Sequence, residues 1–251
     1  MQLLEIKNIN RFFGGLHAVN DVSFNVKKGQ IKAVIGPNGA GKTTLFNLIS
    51  GSIRPSSGEV YFDAKLISNL KPFQIANKGI SRTFQNIQLF SQLSVLENVM
   101  IGRHRMSKAG FIPAILNLPR TWGEEKSIKS ESLEILKLFS LEDLKDEEPL
   151  SLPFGKQRLL ELARALASEP ALLLLDEPAS GLNIHETEEL AEDIKKIKAM
   201  GVTVLLVEHD MSLVMDICDE IVVLNYGKKI AEDIPEKIQK DKKVISIYLG
   251  E

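Results

Sequence analysis

Gly36, Gly41, Lys42 and Thr43 fall at the spacing G-x-x-x-x-G-K-[ST] in the stretch GPNGAGKTT, residues 36–44. Glycines let backbone N–H groups close around an anion, and a helix starting at the loop adds the positive end of its dipole. Gly36, Pro37, Asn38, Gly39, Ala40, Gly41, Lys42, Thr43 and Thr44 are therefore the candidate cradle for a nucleoside triphosphate. Lys42 supplies a point charge to the outer phosphates, and the Thr43 hydroxyl is placed to ligate Mg²⁺. A second cluster, Asp176 and Glu177, ends the run ALLLLDE. An aspartate after four leucines, at the C-terminal edge of a buried strand, suits a Mg²⁺ carboxylate. Glu177 beside it is then the natural general base for an attacking water. His209, in VEHD, ends the next apolar run at the same edge, where an imidazole can donate to a terminal phosphate. Alone it would read as a surface histidine. Gln85, in RTFQN, stands where the strand pattern stops; its amide can reach Mg²⁺ or water, and alone it reads as a polar loop residue.

These side chains need rigid supports, and the pattern supplies them. KAVIG reads as a buried strand, and KTTLFNLIS carries Leu45, Leu48 and Ile49 at helical spacing, with Gly51 placed to end that helix. Strands are predicted over 3–9 and 19–26, joined by RFFGG. SSGEVYFD reads as a turn into a strand, KPFQIANKG as a short helix and ISRTF as a strand. From about 86 to 170 strand pattern is nearly absent. SVLENVMIG and ESLEILKLFSL are helical by spacing, and an irregular connection is expected between them, over 103–127. Alternation of strand and helix resumes at ALLLLDEP. A helix is predicted over 186–199, acidic first and basic last as the helix dipole favours. VTVLLVEHD is another buried strand, EIVVLNYGKKIAED a hairpin across Asn225–Gly227, and a short helical tail closes the chain. The expected architecture is an α/β core with a largely parallel sheet covered on both faces and a helical insertion.

Composition narrows the function classes. With 251 residues, 44% hydrophobic and 25% charged, the chain has ordinary globular character. Its net charge of −2, with acids and bases well mixed, gives no sign of a nucleic-acid groove. The lone Cys218 excludes an internal disulfide, suits a reducing cytosol and is expected to be a small buried residue. MQLLEIKNIN alternates as a strand does rather than as a signal peptide does, and ALLLL and VTVLLV are far too short to span a bilayer. Work at a membrane would go through a partner.

Taken in order, these motifs resemble the nucleotide-binding subunit of ABC transporters over essentially the full length. Phe13 stands before GG; the Walker A loop at 36–44 follows, then the Q-loop at Gln85, a signature region, the Walker B strand at 172–177, a D-loop ASGLN at 179–183 and the switch His209. RTFQNIQLFSQLSVLENVMIGRH, LPFGKQRLLELARAL, VEHDMSLVMDICDEIVVLNYGKKIAE and the ending YLGE are similar to one of the paired ATPases of the high-affinity branched-chain amino-acid importer of prokaryotes. The resemblance implies a single P-loop NTPase (RecA-like) domain with an antiparallel β part. Its catalytic core would be 1–85 and 166–251, with a helical subdomain over 86–165. It implies ATP and Mg²⁺ as ligands, Phe13 on the adenine, and Thr43, Gln85 and Asp176 around the metal, with Glu177 and His209 catalytic. It further implies head-to-tail pairing with a second ATPase, identical or a sister chain. Two membrane-spanning permease subunits, and indirectly a substrate-binding protein, would complete a complex placed at the cytoplasmic face of the membrane.

Two positions depart from the family pattern. Counting back from ARAL, the signature L-S-G-G-Q corresponds to Leu152, Pro153, Phe154, Gly155 and Lys156, so proline replaces the serine that would reach ATP on the facing subunit. The D-loop ends in Asn183 instead of Asp. Another ABC cargo, such as urea, an amide or an exported lipid, would preserve every motif. A soluble ABC ATPase would normally bring a second cassette or a long coiled coil, and a P-loop kinase would lack the ARAL helix and the His209 segment. A binding module without hydrolysis is disfavoured by the intact Glu177.

Overall fold

The computed structural model describes residues 1–103 and 119–249. The central part of the 103–127 connection, and the last two residues of YLGE, lie outside the described residues. The chain divides into two units, Met1–Gln85 with Ala171–Ser180 and Thr187–Glu251, and Asn86–Pro170 with Gly181–Glu186.

In the first unit, continuous apolar runs become strands buried on both faces. β3 (Ile31–Ile35), β6 (Ile80–Arg82), β7 (Leu172–Asp176), β8 (Thr203–Val207), β9 (Glu220–Asn225) and β10 (Lys228–Asp233) form one sheet in the order β10-β9-β3-β8-β7-β6. All neighbours run parallel except the β9–β10 hairpin. Each residue of β3, β7 and β8 is buried, as sheets covered on both faces require.

The second sheet is antiparallel, ordered β2-β1-β4-β5, from β1 (Gln2–Phe13), β2 (Leu16–Lys27), β4 (Ser57–Phe62) and β5 (Lys65–Leu66). β1 and β2 run well past the segments that alternation predicts, so Arg11–Phe13 is strand and only Gly14–Gly15 turns. The register of β1 on β2 shifts between Ile6 and Ile9, again before Arg11 and again before Phe12. Such bulges break the two-residue period on which the prediction rests.

The described helices are α1 (Lys42–Ile49), α2 (Pro72–Asn77), α3 (Val95–Arg103), α4 (Pro119–Leu138), α5 (Phe154–Ala167), α6 (Ile184–Ala199), α7 (Met211–Ile217), α8 (Pro235–Ile238) and α9 (Lys242–Leu249). In the first unit one core joins the two sheets and α1, with Leu4, Ile6, Val60 and Phe62 from the antiparallel sheet, Val34 and Leu174 from the other, and Phe46 and Ile49 from the helix. Cys218 is buried, as expected.

The second unit is built on α3, α4 and α5, with 3₁₀ turns at Glu142–Leu144 and Pro149–Ser151. A Cβ on Gly102 would meet the backbone carbonyl of Arg164, so glycine lets the α3 backbone lie directly against α5. Residues 119–127 belong to α4, not to the irregular connection expected there. Gly123 within it costs about 1 kcal/mol relative to alanine, and the helix is anchored by the buried Leu136 near its C-terminal end.

Candidate active site

The loop between β3 and α1 wraps tightly because its glycines permit it. Gly41 caps α1 at φ 100°, and a Cβ there would sit 2.5 Å from the carbonyl oxygen of Ala18. Gly36 would likewise drive a Cβ into the carbonyl of Leu224. The hairpin turn closes on the loop through Gly227, whose N–H donates to Ala40 at 3.0 Å. Lys42 Nζ donates to the carbonyls of Gly36 at 2.6 Å and Pro37 at 3.1 Å, folding its side chain back along the loop. Burial pushes its ammonium below the usual lysine value, while the carboxylates of Glu177, Asp176 and Glu208 act in the opposite direction. Phosphate charge brought to this loop would complete that compensation.

A cavity of about 520 Å³ opens over the loop, lined by Asn38–Thr44, Phe13, Gln85 and Glu177. Gly36, Pro37, Asp176 and His209 lie outside its lining. Phe13 ends β1 half-exposed, its ring 4.6 Å from the Arg11 guanidinium carbon. Leu16, His17 and Tyr226 also line the cavity, and no motif in the sequence marks them. Tyr226 carries a positive φ of 45° and is 84% exposed, although its stretch reads only as a turn.

At the edge of the parallel sheet, Asp176 ends β7 buried, and Glu177 follows with φ 49°, a left-handed conformation rare outside glycine and concentrated at functional sites. Its N–H is held by the Val207 carbonyl at 2.9 Å. Gln85 Nε2 donates to Glu177 Oε2 at 2.8 Å, and His209 Nδ1 lies 3.9 Å from the same oxygen. His209 itself is positioned by Glu208, which is fully buried and accepts the N–H groups of Ala179, His209 and Asp210. Arg82, unmarked by any motif, donates Nη2 to Asp176 Oδ2 at 2.8 Å and Nη1 to Asn47 Oδ1 at 2.7 Å and Ser50 Oγ at 2.9 Å.

No group of three or more His, Cys, Asp or Glu side chains fit to hold a metal occurs among the described residues. Mg²⁺ on a nucleotide needs no such cage, because it takes one or two protein oxygens plus phosphates and water. The Thr43 hydroxyl and the Asp176 carboxylate are a donor set of that kind.

The predicted signature residues lie in the helical unit. Pro153 caps α5 with extended backbone (φ −53°, ψ 148°), so the helix starts at Phe154 as proline allows. Leu152 and Gly155 are buried, and Phe154 is half-exposed. A Cβ on Gly155 would lie 2.5 Å from Glu186 Oε1, so its side-chain direction faces Glu186 of the same chain. Glu186 in turn accepts the Asn183 N–H at 2.9 Å, while Asn183 Oδ1 accepts the Glu186 N–H at 3.0 Å. This reciprocal pair at the start of α6 is the capping-box arrangement, in which asparagine serves as well as aspartate.

A phosphate loop on a parallel sheet, faced by a paired aspartate and glutamate at the sheet edge, defines a P-loop nucleoside triphosphatase. The ABC transporter family matches residues 19–180, and the family described as Branched-chain amino acid ATP-binding cassette transporter matches residues 228–251. The high-affinity branched-chain amino acid transport ATP-binding protein BraF of Pseudomonas aeruginosa is 41% identical, over 99% of this chain and 98% of its own. An ATP-binding cassette of an ABC transporter solved in its ADP conformation superposes with TM-score 0.86 at 34% identity, covering 100% of both chains. A dimeric, post-hydrolysis cassette bound to ADP and Pi gives TM-score 0.78 at 27% identity, over 93% of this chain and 99% of that one. The chain belongs to the ABC transporter family, as one of its ATP-binding cassettes, which hydrolyse ATP to power transport. Among the described residues no helix is long and apolar enough to cross a membrane.

Proposed function

We propose that this chain is the ATP-hydrolysing subunit of an importer for branched-chain amino acids. The observation that carries the catalytic part is the placement of Glu177, held by Gln85 and lining the same cavity as Lys42 and Thr43. The cargo is inferred from the likeness to BraF and from the family match over the C-terminal segment.

In this reading the loop amides and Lys42 hold the triphosphate, and Phe13 stacks on adenine, a contact of about 1–3 kcal/mol for aromatic–base pairs. Thr43 and Asp176, with Gln85, would hold Mg²⁺, which would neutralise phosphate charge when bound. Glu177 orients a water and takes its proton, and its left-handed backbone keeps the carboxylate at the cavity. His209 approaches the terminal phosphate from the Glu208-anchored turn. The core over 1–85 and 166–251 carries this chemistry, and the helical part over 86–165 presents Leu152–Lys156 to ATP on a facing cassette. The working unit pairs two cassettes, identical or sister, beneath two permeases at the cytoplasmic face, with a binding protein delivering cargo. The dimeric cassette with ADP and Pi supports such pairing.

The test is leucine uptake into proteoliposomes holding the permease pair, with the binding protein supplied on the opposite face. Uptake that requires this chain and ATP supports the reading. ATP-dependent uptake of another cargo, with branched-chain amino acids inert, overturns the cargo assignment.

A further inference from the structure

Arg82 occupies a position that the motifs do not account for. It ends β6, an edge strand, two residues short of the level of Asp176 on the neighbouring β7, with Arg82 paired to Leu174 in parallel register. Its side chain reaches forward along the sheet and is 9% exposed, and the Asp176 side chain it meets is 4% exposed. One guanidinium nitrogen, Nη2, binds Asp176 Oδ2 at 2.8 Å; the other, Nη1, binds Asn47 Oδ1 and Ser50 Oγ. Asn47 lies in the last turn of α1 and Ser50 is its C-cap, where the helix dipole favours a cation. The guanidinium carbon also lies 5.8 Å from the Phe46 ring centroid and 5.2 Å from that of Phe84. Every one of these contacts is within the first unit.

The pair therefore adds a direct side-chain link between two parts of the site that the sheet connects only through β3 and β8. α1 begins at Lys42 and Thr43, the phosphate and metal residues of the loop. β7 ends at the metal carboxylate. Among the described residues no backbone hydrogen bond runs directly from α1 to Asp176, and the Arg82 side chain spans the gap. A planar guanidinium can bind a carboxylate and a helix end together, whereas a lysine ammonium is a single point. Engagement of Oδ2 by the guanidinium restrains the rotation of the Asp176 carboxylate.

We propose that Arg82 is a positioning residue of the ATPase site: by clamping Asp176 to the C-terminal end of α1, it fixes the metal carboxylate relative to the Thr43 hydroxyl and so sets the Mg²⁺ requirement of nucleotide binding. The proposal rests on the reading of Asp176 as a Mg²⁺ carboxylate. Arg82 touches neither nucleotide nor metal in this account. It acts through Asp176, as outer partners of metal ligands do, and those typically govern about 10–100-fold in metal affinity or activity.

The experiment compares ATP affinity of the full-length chain in EDTA and across a Mg²⁺ titration, for the parent, Arg82→Gln, Arg82→Lys and Asp176→Asn. Folding is checked by thermal unfolding. For Arg82→Gln the EDTA affinity should stay at the parental value, while the Mg²⁺ concentration for half-maximal enhancement rises about tenfold or more. Arg82→Lys, which keeps the charge and carries the test if Arg82→Gln does not fold, should show a smaller rise in the same direction. A Mg²⁺ requirement equal to the parent's in Arg82→Lys and in any folded Arg82→Gln overturns the proposal. So does a loss of affinity equal in EDTA and in Mg²⁺, which is the mark of a merely structural role. Asp176→Asn separates the two readings. If it raises the Mg²⁺ requirement while the arginine variants do not, only the clamp is wrong; if it leaves the requirement unchanged, the metal assignment of Asp176 falls and the clamp with it.

Discussion

Gln85 and Glu177 are joined by a 2.8 Å hydrogen bond from the glutamine amide to the glutamate Oε2, although 92 residues separate them. Gln85 is the last residue of the first unit before the chain enters the helical one. The group proposed to activate water is thus held by the residue at which the insertion begins. A displacement of that junction would be felt at the carboxylate through this hydrogen bond. Gln85→Ala should lower kcat in the assembled transporter with little change in ATP affinity, and an unchanged kcat would show the contact to be dispensable.

Gly41 combines a positive φ with a Cβ direction blocked by the Ala18 carbonyl. Gly41→Ala should destabilise the chain by about 1–3 kcal/mol through strain and weaken nucleotide binding. Gly39 is also at positive φ but has nothing within 4 Å of its Cβ position. Gly39→Ala should therefore cost less in thermal unfolding, and an equal cost at both positions would contradict the steric argument.

Lys32 is fully buried in the middle of β3, with Nζ 2.5 Å from the Asn25 carbonyl, 2.6 Å from Glu232 and 2.7 Å from Glu220. It ties β2, β3, β9 and β10 together beside the hairpin whose turn grips the phosphate loop. Lys32 is fully buried while Glu220 and Glu232 keep 24% and 21% exposure, so Lys32→Ala, which leaves two partly hydrated carboxylates, should cost about 1–3 kcal/mol in urea unfolding. A cost below about 1 kcal/mol would place the cluster among solvated surface pairs.

Glu186 fills the space in front of Gly155 and caps α6 with Asn183. Gly155→Ala should push the carboxylate from that cap and lower stability by about 1 kcal/mol. In a Glu186→Ala background the same substitution should be nearly silent. Additive effects in the double variant would show that the two positions are not in contact.

Burial, reinforced by the charge of Asp219, pushes the Cys218 thiol above its ordinary value of 9.0. The native chain should resist thiol reagents at pH 8 and label fully in denaturant. Because the folded value is the raised one, this group's contribution to stability is complete below pH 9 and is lost as pH rises above it. Prompt labelling of the native chain would contradict its burial.

Much of the site is readable from the sequence because its parts are local. The phosphate loop is a contiguous run whose glycines, lysine and threonine carry their own geometry, and Asp176–Glu177 announce themselves by following four leucines. The β9–β10 hairpin is equally plain at Asn225–Gly227. What escapes the sequence is contact between distant residues. Lys32 sits unremarked within a buried strand, and its partners are 188 and 200 residues away. Arg82 is one arginine on an edge strand until β6 pairs with β7. Residues 119–127 resist a helical reading because Pro119 and Gly123 weaken the local signal, although proline is tolerated at the first position of a helix and one glycine costs only about 1 kcal/mol. Asn183 looks like a departure from the family D-loop until its cap on Glu186 is seen.

The central claim is that this cavity hydrolyses ATP with Glu177 as the base, and Glu177→Gln tests it most directly. The substitution preserves size and the ability to pair with Gln85 while removing the proton acceptor. In the transporter assembled with its permease, ATP affinity should be retained, turnover should fall about 10²–10⁴-fold, and an ATP-bound closed pair of cassettes should accumulate. Turnover close to the parental rate, with ATP bound normally, would contradict the account.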